Sequence, residues 1–158
     1  MSDKSFTGTI PTEYGLLTEL TSFTLQGNSL EGPIPTELAQ LTDIDSYFNL
    51  ASNELTSSIP SQIGNMSVSS FFYLNENSLS GSIPTEIGAA PFYQRVYLDS
   101  NRLTGPVPTE LGALGLVNYT YAYFALDDNS ICGTIPSEVA ALSSSLYRSS
   151  TYSWDIES

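Results

Sequence analysis

The chain has 158 residues, 41% of them hydrophobic, with 4 Lys plus Arg against 17 Asp plus Glu and a formal charge of −13. That length suffices for one domain with a buried core, and the charge disfavours nucleic acid and anionic membranes as partners. The absence of histidine and the single cysteine, Cys132, exclude Ser-His-Asp and Cys-His catalysis, His-ligated metal sites and an internal disulfide.

From the amino end, MSDKSFTG carries no apolar stretch of signal-peptide type, and no apolar run reaches the ~18 residues of a membrane span. An octapeptide then recurs: GTIPTEYG from Gly8, GPIPTELA from Gly32, SSIPSQIG from Ser57, GSIPTEIG from Gly81, GPVPTELG from Gly105 and GTIPSEVA from Gly133. The Ile or Val before proline recurs at intervals of 24, 25, 24, 24 and 28. A second ladder, Asn28, Asn53, Asn77, Asn101 and Asn129, has intervals of 25, 24, 24 and 28 and lengthens at the same places. The period is a 24-residue structural unit with two local insertions.

Before each Asn lies an apolar-any-apolar triplet: Phe23 and Leu25, Phe48 and Leu50, Phe72 and Leu74, Val96 and Leu98, Phe124 and Leu126. This alternation predicts a short half-buried strand. After each Asn come Leu30, Leu55, Leu79, Leu103 and Ile131, then the octapeptide, then Leu17, Leu41 or Leu114 in most units. One such unit cannot bury these residues alone, whereas stacked units can. The Asn side chains, set among buried leucines, must bond backbone groups of their own and adjacent coils. In the octapeptide, Gly permits close backbone approach, Ile fills the core and Pro fixes φ. Thr or Ser is expected to cap a helical turn that begins with Glu.

Some units depart from the pattern. Ser57 stands where the others have Gly, and Asp45 and Ser69 stand where strand-entry leucines belong, with Ile44 and Val68 offered instead by a one-residue slip. GLVNYTYAY, Gly115 to Tyr123, is an insertion expected to bulge at the strand entry.

The segment SLSGSIPTEIG, Ser78 to Gly88, resembles the plant-type leucine-rich repeat, LxxLxxLxLxxNxLxGxIPxxLxx, of receptor-like and polygalacturonase-inhibitor-like proteins. The resemblance covers about Phe6 to Leu142. It implies an α/β leucine-rich-repeat solenoid, a horseshoe with a parallel β-sheet on the concave face and short helical turns on the convex face. It also implies a second set of short extended segments near Gly-x-Ile-Pro, and ligands that are proteins, peptides or cell-wall glycans. The family's paired-cysteine caps are missing. The expectation is a single domain, 1–158, of about five full repeats and a partial sixth, with 143–158 as a tail or an improvised cap in which Tyr147, Tyr152, Trp154 and Ile156 cover the last coil.

Strand alternation turns Ser22, Tyr47, Phe71, Arg95 and Tyr123 outward before the first buried position, and Thr24, Asn49, Tyr73, Tyr97 and Ala125 between the two. Gln26, Ala51, Asn75, Asp99 and Asp127 follow, then Gly27, Ser52, Glu76, Ser100 and Asp128. Tyr47, Phe71, Tyr73, Tyr97 and Tyr123 with Arg95 form the candidate ligand-binding stripe, bordered by Glu76, Asp99, Asp127 and Asp128. Clustered outward aromatics mark binding surfaces, and the acids suit a cationic ligand; cross-strand aromatic pairs also stabilise sheets that bind nothing. A Ca²⁺ site at Asp99, Asp127 and Asp128 lacks loop-type spacing, and no carboxylate pair stands out for glycoside hydrolysis, so no cofactor, metal or enzymatic activity is expected.

On the other side run Thr12, Thr36, Ser61, Thr85, Thr109 and Ser137 beside a column of Glu13, Glu37, Glu86, Glu110 and Glu138. Asn65-Met-Ser and Asn118-Tyr-Thr are glycosylation sequons, and Cys132 is read as an inert surface thiol. The sequence points to a non-catalytic recognition module for a protein, peptide or glycan. Its expected setting is extracellular or at the cell surface, within a longer receptor-like chain. The alternatives are a structural spacer or an ice-binding solenoid.

Overall fold

A computed structural model describes residues 6–66, 68, 71–89, 95–113 and 123–143. The chain winds into stacked coils, and every strand pairing is parallel. One long face is a five-stranded sheet of β2 (Phe23–Thr24), β4 (Tyr47–Asn49), β6 (Phe71–Tyr73), β8 (Arg95–Tyr97) and β10 (Tyr123–Ala125), in that spatial order. The apolar-any-apolar triplets are therefore the strands expected of them.

A second extended segment precedes each of six Ile-Pro or Val-Pro steps. These are β1 (Thr7–Thr9), β3 (Ser29–Gly32), β5 (Glu54–Leu55), β7 (Ser80–Ser82), β9 (Arg102–Gly105) and β11 (Ser130–Ile131). They form two three-stranded sheets, β1-β3-β5 and β7-β9-β11, divided between β5 and β7. Five 3₁₀ turns follow the prolines, at Thr12–Leu16, Thr36–Gln40, Ser61–Asn65, Thr85–Ala89 and Thr109–Ala113, and a short α-helix, α1 (Ser137–Ser143), takes the sixth position.

The core lies between the sheet face and the turns. Its repeated members are fully buried: Leu38, Ile63, Ile87 and Leu111 from the turns, Leu55, Leu79 and Leu103 after the Asn, and Phe48, Phe72 and Val96 from the strands. Phe23, Phe48 and Phe72 stack along the solenoid axis with ring centroids 5.6 and 5.4 Å apart. Burying each such ring contributes roughly 1.5–3 kcal/mol. Ile44 and Val68 are fully buried, and Asp45 is exposed, as the one-residue slip required.

The asparagine ladder does what burial among leucines demands. Asn53 Nδ2 donates to Leu50 O and Ala51 O of its own coil and to Leu25 O of the coil before, while its Oδ1 accepts from Leu30 N. Asn77, Asn101 and Asn129 repeat the pattern. Each amide thus satisfies backbone groups that the tight bend at the strand end leaves unpaired.

Three expectations are corrected. The hydroxyls do not cap the turns. Proline occupies the cap position at Pro11, Pro35 and Pro60 with extended backbone and no side-chain cap bond. The turn is closed instead by main-chain bonds such as Tyr14 N to Pro11 O at 3.2 Å, so the hydroxyl turns to the next side chain. Thr12, Thr36, Thr85, Thr109 and Ser137 each donate to the neighbouring Glu Oε2 at 3.1–3.4 Å. Second, Leu17 is 47% exposed and Leu16 73%, whereas Leu41 is fully buried; among the described residues the first turn has a neighbour on one side only. Third, Asn49, on the outward side of the sheet, is covered and only 6% exposed, because Gln26 bonds it and Ala51 N donates to its Oδ1. Ala51 and Ala125 are likewise covered.

Candidate functional site

The register of the five-stranded sheet brings the outward residues into rows. Tyr47 lies opposite Phe71, Phe71 opposite Arg95 and Arg95 opposite Tyr123. One step along, Asn49 lies opposite Tyr73, Tyr73 opposite Tyr97 and Tyr97 opposite Ala125. Parallel strands at ~4.8 Å hold neighbouring rings at stacking distance.

Tyr47 and Phe71 stack with centroids 4.6 Å apart and planes 15° apart. Tyr73 and Tyr97 stack at 4.6 Å and 19°. Phe71 and Tyr73 are tilted neighbours at 5.8 Å, joining the two pairs. Arg95 sets its guanidinium 5.6 Å from the centre of the Phe71 ring, within the range of a cation–π contact. The Tyr73 and Tyr97 hydroxyls also lie near the guanidinium and favour its charged form. Sequence reasoning placed Arg95 in the row but gave no sign of this tie. The contact couples a residue of β8 to a ring on β6 and hydroxyls one row over, which only the three-dimensional register shows.

Four of the five aromatics are thus contiguous: Tyr47 is 39% exposed, and Phe71, Tyr73 and Tyr97 are half-buried. The backbone of Tyr123 continues the first row, while its side chain lies outside the described set. The acidic edge is also assembled by the ladder. Glu76 N donates to Asp99 O, Ser100 N to Asp127 O and Asn101 N to Asp128 O, so successive coils present successive acids. Glu76 and Asp128 sit at φ of 55° and 51°, and the Ser52 hydroxyl donates to Glu76 at 2.7 Å.

Asp99 is half-buried at the middle of that edge. Burial raises the pKa of its carboxyl above the ordinary value, and the charges of Asp127 and then Glu76 add to the rise. Between the rings and the acids, Asn75 has a buried Oδ1 with no hydrogen-bond partner. Among the described residues no group of three His, Cys, Asp or Glu converges on a metal-binding point. No described helix is long and apolar enough to cross a membrane.

The remaining candidates lie apart from the stripe. Asn65 is exposed at the end of the third turn, and Asn118 lies outside the described residues, as do most of the Gly115–Tyr123 insertion and Tyr147, Tyr152, Trp154 and Ile156. Cys132 is exposed.

The fold and this surface define a parallel-coil solenoid that displays an aromatic stripe and an acidic edge on one sheet face. Residues 19–41 and 46–66 match the Leucine Rich Repeat family. Among solved structures, a TDR receptor is similar at 30% identity and TM-score 0.78, over 86% of this chain and 23% of that one. The plant peptide hormone receptor RGFR1, in complex with RGF2, is similar at 35% identity and TM-score 0.72, over 82% and 20%. The leucine-rich-repeat ectodomain of the membrane receptor kinase GASSHO1/SCHENGEN3 from Arabidopsis thaliana, in complex with CASPARIAN STRIP INTEGRITY FACTOR 2, is similar at 33% identity and TM-score 0.78, over 89% and 16%. No curated protein sequence matches the chain. Two of its coils are thus leucine-rich repeats, and its fold is the leucine-rich-repeat solenoid seen in these plant receptor ectodomains. The chain spans between a sixth and a quarter of the receptor chains it resembles.

Proposed function

We propose that this chain is a non-catalytic recognition module of a larger, cell-surface receptor-like protein, and that it binds a peptide or protein segment along the aromatic stripe. The ligand lays apolar and amide groups on Tyr47, Phe71, Tyr73 and Tyr97 and sets a cationic side chain against Asp99, Asp127 and Glu76. The observation that carries this reading is the pair of ring stacks at 4.6 Å, lying side by side on one sheet face next to the acids. Rigid half-exposed tyrosines offer contact area at little cost in side-chain entropy. Two of the similar structures are receptors in complex with a partner, which supports the same use of the fold.

An ice-binding face fits the molecule less well. Five of the six hydroxyls in the column are engaged by exposed carboxylates rather than free to order water.

The test is a display screen of a basic peptide library against the full chain, repeated with the Tyr73→Ala, Tyr97→Ala double variant. Binders selected by the wild type should lose affinity about tenfold or more for the variant, the range of an interface anchor. Their affinity should also fall with salt as the acidic edge is screened. Binding that survives the double substitution would show that the rings only staple the sheet.

A further inference from the structure

A second concavity lies on the flank of the solenoid, away from the sheet face. It is a groove of ≈ 780 Å³ that runs across the second, third and fourth turns and the Ile-Pro steps before them. Its middle coil departs from the pattern of the others. Ser57 replaces the Gly of the other coils and holds φ at 68°. There β5 has two residues where β3 and β9 have four.

The same coil breaks a second pattern. In the other five turns a Thr or Ser hydroxyl donates to the next Glu. In the third turn that pair is Ser61 and Gln62, and neither side chain has a hydrogen-bond partner within the described residues. Ser57, Ser58 and Ser82, all exposed, also line the groove, and their side chains have no hydrogen-bond partner among the described residues. Pro60, Pro84 and the buried Ile59 supply its apolar lining. The groove therefore offers free hydroxyls and one primary amide above an apolar floor, and its middle turn lacks the carboxylate that its neighbours carry.

We propose that this groove is a binding site for a neutral, linear oligosaccharide, seated with about one sugar ring per coil. Hydroxyl and amide side chains match sugar hydroxyls as both donors and acceptors. The proline and isoleucine edges match the C–H face of a ring, and the coil spacing of ~4.8 Å is close to the length of one ring. The formal charge of −13 and Glu86 on the groove wall disfavour an acidic sugar. An extended peptide is a poorer fit, because the main-chain groups of this strip already pair with one another: Thr56 N with Gly32 O, Ser78 N with Leu55 O and Ser80 N with Ser57 O.

The experiment titrates the ¹⁵N-labelled full chain with neutral β-linked glucan, mannan and xylan hexaoses, with a proline-rich peptide as control. Saturating shifts are expected at the amides of Ser57, Ser58, Ser61, Gln62 and Ser82 with at least one of the three sugars. Gln62→Glu restores the pairing of the other five turns, so it should fold as they do. It removes the free amide and ties up the Ser61 hydroxyl, and should weaken sugar binding about tenfold. Tyr73→Ala with Tyr97→Ala should leave the sugar shifts unchanged, which separates this site from the sheet face. No shifts with any of the three sugars, sugar shifts indifferent to Gln62→Glu, or shifts with the peptide alone would each overturn the proposal.

Discussion

The side-chain amide of Asn77 reaches across a coil boundary and donates to Leu50 O at 3.1 Å, while its Oδ1 accepts from Leu55 N at 3.0 Å. One side chain thus joins two turns of the solenoid through main-chain groups, and it also closes its own coil on Leu74 O and Asn75 O. Leu55, Leu74 and Leu50 are fully buried, so water cannot replace these bonds. Asn77→Ala should destabilise the chain by about 3 kcal/mol, the cost of leaving buried donors and acceptors unmade. Asn77→Asp should be worse still, because a carboxylate would face three carbonyl oxygens. Urea denaturation followed by far-UV circular dichroism measures both. A loss under a few tenths of a kcal/mol for Asn77→Ala would show that the ladder is decorative.

Gly88 makes a different demand. A Cβ placed there would land on the backbone carbonyl of Glu110 in the next turn, and the same crowding holds at Gly15, Gly64 and Gly112. The turns are packed by these glycines, so Gly88→Ala forces two coils apart and should cost about 1–3 kcal/mol or more. Gly27 is the instructive control. It has φ of 71° but nothing within 4 Å of a built Cβ, and the equivalent residues Ser52, Glu76, Ser100 and Asp128 already adopt positive φ. Gly27→Ala should cost only the local strain, roughly 1–2 kcal/mol. Thermal melts of the two variants should rank Gly88→Ala as the more damaging, and the reverse order would refute the close-packing account.

The solenoid was readable in the sequence because its cause is repetitive. A 24-residue unit cannot bury Phe72, Leu74 and Leu79 alone, so the period, the strands and the bonding role of the Asn all followed from burial. The slip to Ile44 and Val68 followed from the same logic. What could not be read depends on exact backbone angles or on contacts between residues about one period apart. Whether Thr36 caps its turn or bonds Glu37 turns on the backbone angles at Pro35. Whether Asn49 is covered turns on where Gln26 of the previous coil lies. Arg95 over Phe71, and the unpartnered Oδ1 of Asn75, are likewise products of cross-coil register. The rows of the aromatic stripe were legible, then, but not the ties within it. The flank groove was signalled only by Ser57 and Gln62 as breaks in otherwise regular columns.

Ser57 gives a prediction of the opposite sign. It holds φ of 68° where Gly8, Gly32, Gly81, Gly105 and Gly133 hold 77–90°. A left-handed conformation costs a non-glycine residue roughly 1–2 kcal/mol, and glycine returns part of that through its freer unfolded chain, about 0.5–1 kcal/mol. Ser57→Gly should therefore stabilise the chain by about 0.5–1 kcal/mol. A rise in the denaturation midpoint at unchanged slope would bear this out. A fall would mean that the Ser57 side chain contributes more to the flank than the strain removes.

Asp99 supplies the pH dependence. Burial, then the charges of Asp127 and Glu76, raise its pKa in the folded chain above the ordinary value of 3.8. A carboxyl so shifted binds its proton more tightly folded than unfolded. Its favourable contribution is complete below the unfolded pKa and is lost as pH rises through the higher folded pKa. Above the folded pKa Asp99 is ionised in both states and weakens the fold, so Asp99→Asn should melt at a higher temperature than the wild type there. The gain should shrink as pH falls through the carboxylate range and should have largely gone below about pH 4, where the unfolded Asp is itself protonated. Salt should shrink it too at neutral pH, since Asp127 and Glu76 are exposed and act through solvent. Differential scanning calorimetry of both chains from pH 3 to 8 reads the difference directly. A variant that melts lower than the wild type at pH 7 would show that Asp99 is held by favourable contacts rather than crowded by like charge. In that case the acidic edge would be a structural element rather than a surface poised for a cationic ligand.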